Sequence, residues 1–275
     1  MPRLSRPHAG FAEVHGAKLY YEVSGEGRPL LLLHAGVGDS RMWEPQWDEF
    51  ASRYLVIRTD LRGYGRTEVS PGLFSYHEDV AALVTHLGEE TAVVVGLSFG
   101  GLVAVDFALA YPEMLSALVL GAPAVSGWEP SEELERFSTE EDELLGRGDL
   151  AGAAELNLRM WVDGPHRAPD KVDPAVRELV REMQTDVFKV VVPDDAEDEP
   201  LEPPAMKRLE EIRVPTLIIT GELDQPDFLE IADTLATRIP GAVKVVIPGV
   251  AHLPSMEKPE RFNRIVLDFL RRHSL

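Results

Sequence analysis

Polar and apolar positions alternate twice near the start of the chain, over Phe11–Gly16 and over Lys18–Gly25. A period of two predicts half-buried strands, and Gly16 between them predicts a tight antiparallel turn. Six later runs are apolar throughout: Pro29–His34, Tyr54–Asp60, Thr91–Leu97, Leu115–Pro123, Val214–Gly221 and Ala242–Gly249. Strands of that kind are covered on both faces, as in a parallel sheet. Helical periodicity fills several gaps between them. In Ser75–Gly88, apolar Val80, Leu83, Val84 and Leu87 recur at helical spacing, with Gly88 as a stop signal. Gly100–Tyr111 is apolar nearly all round, which predicts a central helix buried on most sides and ended by Pro112. Asp227–Ile239 and Glu260–His273 predict two more helices. Strand and helix in alternation give an α/β fold, a doubly wound, mostly parallel sheet with the antiparallel pair at one edge.

One region interrupts that rhythm. From Ala124 to about Arg213 the chain shows no convincing strand, several amphipathic turns, and then the acidic, proline-rich Val191–Pro204. This predicts a helical insertion, residues 124–213, returned to the sheet by an extended acidic linker. The core would then be residues 11–123 together with 214–275.

Composition adds exclusions. The chain has 275 residues, 44% of them hydrophobic, enough for a sizeable core. It has no cysteine, so disulfides, thiolate nucleophiles and Cys-ligated zinc are excluded. Its net charge is −20, and residues 129–202 hold 22 acidic against 8 basic side chains, leaving −14 there. Such a surface repels nucleic acid and anionic membranes. No apolar run has the length of a membrane span, and residues 1–10 lack the apolar segment of a secretory leader. A cytoplasmic protein acting on a small molecule, as monomer or homodimer, is the expectation.

Candidate chemistry centres on Gly96-Leu97-Ser98-Phe99-Gly100, which fits G-x-S-x-G between an expected strand and an expected helix. In that context the pattern makes a nucleophile elbow, a turn so tight that glycine is required two residues either side of the serine. The turn would lift the Ser98 hydroxyl above the carboxyl edge of the sheet, where open α/β folds bind ligands. A serine needs a base, commonly histidine oriented by a carboxylate. Of eight histidines, His8, His15, His77, His86, His166 and His273 read as surface or packing residues. His34 reads as a loop organiser. His252 follows the last apolar strand and would lie at the same edge as Ser98. The acid would come from the turn after Val214–Gly221, with Asp224 favoured and Glu222 and Asp227 as competitors. Asp60 precedes the serine and reads as a cap for its own loop. Oxyanion donors would be the backbone N–H of Phe99 and that of Gly36, with Val37 as competitor. Met42, Trp43, Trp128 and Trp161 are the large apolar residues placed to line an acyl pocket or to pack the insertion onto the core. No metal or organic cofactor is required.

Taken together, "LLLHAGVGDSRMW", "DLRGYGRT", "GLSFGG", "TGELDQPD" and "AHLPSMEKPERFNRIVLDFL" resemble the α/β-hydrolase superfamily from about residue 11 to 272. The chain looks most like the small esterases, enol-lactonases and cofactor-free haloperoxidase or perhydrolase relatives. The resemblance implies an eight-stranded sheet with a helical cap after the sixth strand, and a Ser98–Asp224–His252 triad. Such a triad would cleave esters through an acyl-enzyme, an apolar pocket suiting small, mainly uncharged acyl groups, or would open lactones (enol-lactone or acyl-homoserine lactone). A ligand-binding member without turnover is the reading from another class. Two departures are visible: Ala35 where His-Gly is usual, and Thr67 where serine usually follows the arginine/glycine turn.

Overall fold

The computed structural model describes residues 8–275, so the reading of the extreme N-terminus as no leader lies outside the described residues for positions 1–7. Among the described residues ten strands occur: β1 His8–Val14, β2 Ala17–Ser24, β3 Pro29–Leu33, β4 Leu55–Thr59, β5 Gly72–Phe74, β6 Ala92–Leu97, β7 Leu115–Gly121, β8 Ala196–Asp198, β9 Thr216–Gly221 and β10 Val243–Ile247. Eight form one sheet in the order β1-β2-β4-β3-β6-β7-β9-β10. β1 and β2 pair antiparallel through a turn in which His15 and Gly16 both have positive φ, 42° and 77°. Two such residues give a hairpin turn matching the twist of the strands. β2 is antiparallel to β4, and every later pairing in the sheet is parallel.

The continuous apolar runs are explained by two core layers. Leu31, Leu33 and Val94 face the side covered by α2 (Tyr76–His86), α3 (Phe99–Ala110) and α7 (Pro226–Arg238). Leu30, Leu32, Val93 and Val95 face Trp47 and Phe50 of α1 (Glu44–Ala51) and Phe262, Val266 and Leu270 of α9 (Pro259–Arg272). Each such leucine contributes about 1.5–3 kcal/mol relative to exposure. α1 escapes a reading by periodicity because its two turns carry only Trp47 and Phe50 as apolar anchors.

Two expectations are corrected. β10 is the far edge of the sheet, not a strand covered on both faces; Val243 and Val246 are 48% and 43% exposed. Its apolar composition supports pairing with β9, and edge position cannot be read from one strand alone. The acidic segment is likewise not a simple linker: Ala196–Asp198 pairs in parallel with Gly72–Phe74 as a small second sheet. Three residues are too few for a pattern.

Between β7 and β9 lie α4 (Glu132–Gly146), α5 (Leu150–Asn157), a π-helical turn at Leu158–Asp163 and α6 (Pro174–Val187). Leu158, Val162, Val180 and Met183 join the apolar cluster that contains Ala35, Val37 and Met42. The insertion therefore rests on the loop after β3. The short α8 (Pro254–Glu257) precedes α9.

Candidate active site

The site is assembled from loops at the carboxyl ends of β3, β6, β9 and β10. β6 stops at Leu97, and Ser98 takes φ 52°, ψ −112°, before α3 begins at Phe99. Such a conformation strains a non-glycine residue and persists only where its surroundings fix it. Here Ser98 N–H donates to Gly121 O at 2.8 Å, and Ser98 O accepts from Ala124 N–H at 3.0 Å. The flanking glycines are required by contact. A Cβ at Gly96 would stand 2.2 Å from Gly100 O, inside the elbow itself. A Cβ at Gly100 would stand 2.3 Å from Leu33 O and 2.5 Å from His34 O, on the end of β3. Gly100 N–H donates to that same His34 O at 3.0 Å.

Ser98, His252 and Asp224 come together. Ser98 Oγ lies 2.7 Å from His252 Nε2, and His252 Nδ1 lies 2.9 and 3.1 Å from the two carboxylate oxygens of Asp224. The carboxylate only accepts, so Nδ1 carries the proton and Nε2 is left to accept from the serine hydroxyl. Asp224 Oδ1 also accepts from Gln225 N–H at 2.8 Å, which fixes the carboxyl plane. The imidazole sits between Phe228 and Trp161, with ring centroids at 4.3 and 4.9 Å, and the backbone N–H of His252 donates to Trp161 O at 3.3 Å. Ser98 is 9% exposed, whereas Asp224 and His252 are buried. The competing acids are occupied elsewhere. Glu222 accepts from Gly249 N–H at 3.0 Å; Asp227 accepts from Trp128 Nε1–H at 3.1 Å and Ser131 N–H at 3.0 Å.

Gly36 adjoins Phe99: a Cβ on Gly36 would lie 3.5 Å from Phe99 Cβ. Phe99 is the first residue of α3, whose leading N–H groups have no intrahelical acceptor. The loop carrying Gly36 is held from below. His34 Nε2 accepts from Leu61 N–H at 2.9 Å, so Nδ1 donates to Ala35 O at 2.9 Å. Burial keeps that imidazole below the ordinary histidine range, hence neutral. Asp60 bridges two loops, accepting from Ser40 N–H at 2.8 Å and Arg66 N–H at 2.9 Å. Thr67 does what a serine would: its hydroxyl donates to Asp60 O at 2.7 Å and accepts from Tyr20 N–H at 2.9 Å.

The four candidate pocket residues separate. Trp43 has no exposed surface and packs on Phe262 with ring centroids at 6.3 Å, so it is a core residue and not a pocket wall. Met42 is also buried, with its sulfur accepting Ala35 N–H at 3.2 Å, and it supports the loop from behind. Trp128 anchors the root of the insertion through its bond to Asp227. Trp161 alone of the four reaches the His252 ring. Sequence reasoning missed Tyr64, Phe228, Asn157 and Glu141. Tyr64 lies between His34 and Phe99, with ring centroids at 4.8 and 5.9 Å. Asn157 Oδ1 accepts from Trp161 Nε1–H at 3.1 Å, while its amide donates to Glu141. Phe228, four residues after Asp224, and Tyr64, inside the quoted "DLRGYGRT", were the two with a positional signal.

Among the described residues no helix is long and apolar enough to cross a membrane. The sequence model for the alpha/beta hydrolase fold matches residues 28–259. RutD of Azorhizobium caulinodans, named as a carbamate hydrolase, is 31% identical over 264 residues, covering 93% of this chain and 96% of that one. A thermophilic esterase from Thermogutta terrifontis, 28% identical, superposes with a TM-score of 0.77 over 98% of this chain and 99% of the esterase. Est816, described as an N-acyl homoserine lactone degrading enzyme, is 25% identical and superposes with a TM-score of 0.75 over 94% and 99%. The matched stretch runs from the strand before the loop that carries Gly36 to the helix after His252, so the chain belongs to the α/β-hydrolase family.

Proposed function

We propose that the protein is a serine hydrolase that cleaves carboxylic esters through an acyl-enzyme, with Ser98 as nucleophile, His252 as base and Asp224 as the acid that orients it. The reading is carried by one observation, the continuous contact of Asp224, His252 and Ser98 at hydrogen-bond distances. Nε2 accepts the hydroxyl proton as Ser98 Oγ attacks the acyl carbon. The Asp224 carboxylate stabilises the imidazolium that results. The Phe99 and Gly36 N–H groups receive the oxyanion, an interaction worth several kcal/mol because it strengthens only as charge develops. His252 then returns its proton to the leaving alcohol, and water repeats the sequence on the acyl-enzyme. The insertion acts as a cap over this site, excluding bulk water through Trp161 and the π-helical turn.

Replacing Ser98 with Ala should abolish turnover of a short-chain p-nitrophenyl ester and labelling by a fluorophosphonate, with the circular dichroism spectrum unchanged. Turnover or labelling that survives in this variant sinks the assignment. A lactone is the second reading, favoured by the likeness to Est816. The same triad would open the ring, and a panel of acyl-homoserine lactones against linear esters separates the two. The likeness to RutD adds carbamates to that panel.

A further inference from the structure

The acid Glu141 is unlike the other acids of α4. It is half-buried, and the charged neighbour acting on it is a further carboxylate, Asp142, with no basic side chain paired to it among the described residues. Its one protein hydrogen bond comes from the neutral amide of Asn157. A carboxylate offers about four acceptor positions, and a partly desolvated charge with one neutral donor is under-satisfied. Burial, and secondarily the charge of Asp142, accordingly raises its pKa, with the Asn157 amide acting against them.

Its position is tied to the surroundings of Ser98 through Asn157 and Trp161. On the His252 side, the same Asn157 that donates to Glu141 accepts from the Trp161 indole, whose ring is 4.9 Å from the imidazole. Phe137, one turn before Glu141 on α4, packs edge-on against Trp161 at 5.3 Å. On the oxyanion side, Tyr64 Oη stands 3.6 Å from where a Cβ of Gly36 would be, and it makes no hydrogen bond to any described residue. The Tyr64 pKa is pushed up to about 12, first by burial and then by the Glu141 charge. A carboxylate joined through Asn157 to the Trp161 ring beside His252, with a phenol next to Gly36, favours a cation, which rings attract and the acid neutralises.

We infer that Glu141, Tyr64 and Trp161 form a subsite for a positively charged nitrogen, a protonated or quaternary amine carried by the substrate. This rests on the ester-hydrolase reading and replaces the expectation of mainly uncharged substrates. The −14 balance of residues 129–202 gives the surrounding field the same sign, drawing in cations and opposing anions.

The test uses isosteric ester pairs that differ in charge. One pair carries it in the acyl group: the p-nitrophenyl esters of 4-(trimethylammonio)butanoate and of 5,5-dimethylhexanoate. The other carries it in the alcohol: acetylcholine and 3,3-dimethylbutyl acetate. In the wild type, at least one pair should show kcat/KM about tenfold higher for the cation. Glu141→Gln keeps an acceptor for Asn157 and removes only the charge. It should bring that ratio to about one through KM, leaving kcat and the neutral ester unchanged, while Glu141→Lys should invert it. No preference in either pair, or a preference that survives Glu141→Gln, overturns the subsite while ester hydrolysis stands. If no ester is turned over and Ser98 is not labelled, the hydrolase reading fails instead. The subsite is then judged by tetramethylammonium titrated against tryptophan fluorescence: saturation in the wild type and none in Glu141→Gln supports it, and no saturable change in the wild type overturns it.

Discussion

The rim of the core and the insertion above it are built on opposite principles. At the rim, backbone fixes everything: Ser98 is held by bonds to Gly121 and Ala124, and Gly100 is clasped against His34. Cβ positions there clash with carbonyl oxygens at 2.2–2.5 Å, so the geometry tolerates almost no change. In the insertion, α4 has no fully buried residue, and its first turn carries Glu132, Glu133 and Glu135 behind the Ser131 cap. Acids at a helix start and a serine cap stabilise it locally, so its outer face is free to vary. The contrast teaches that the proposed reaction would be set by rigid backbone, and the proposed choice of substrate by side chains on a more tolerant roof.

The largest break in that contrast comes from the rim. Asp224→Asn keeps the shape but presents an amide to the imidazole, and kcat should fall about 10⁴-fold in single-turnover kinetics. A loss below tenfold means the triad is not the machinery. Gly100→Ala inserts a methyl against Leu33 O, and thermal or urea denaturation should show a loss on the order of 3 kcal/mol. An unchanged midpoint shows the elbow to be looser than its contacts.

A smaller effect tests the layer beneath. Asp106 of α3 is buried, and burial raises its pKa from 3.8 to about 6, against a hydrogen bond from Ser126 Oγ at 2.7 Å. The folded state then binds this proton more tightly than the unfolded one. Stability from the protonated form is full below pH about 4 and is lost as pH rises through about 6. Asp106→Asn should therefore gain about 2 kcal/mol at pH 7–8 and nothing at pH 3.5, measured by urea denaturation. A gain independent of pH refutes the titration. The smallest effect belongs to the roof. The exposed pair Arg136–Glu132, 3.7 Å apart, should give on Arg136→Ala a Tm change under about 1 °C. A larger change shows that α4 is less independent than its exposure indicates.

Legibility followed the same division. Ser98, Asp224 and His252 were readable because each sits at the end of an apolar strand, and parallel strands bring their carboxyl ends to one edge. The two-layer sheet was readable because Leu30–Leu33 and Ala92–Val95 have no polar face. Trp43 was misjudged as a possible pocket wall because one sequence gives a residue's size and neighbours along the chain, not which face of a loop it occupies. Glu141 was lost among the acids of α4, since only its burial and its bond to Asn157 separate it from them.

What the sequence by itself determined is therefore local and periodic: the strand runs, the glycine-serine-glycine elbow, the order of Ser98, Asp224 and His252, and an acidic insertion. Only the tertiary structure decided which strand is the edge, that Gly100 is required by the end of β3, and which acid of the insertion accepts from Asn157. Periodicity is written by each element's own burial, residue by residue. Contacts between elements far apart in the chain are written jointly by both, and neither segment alone carries them.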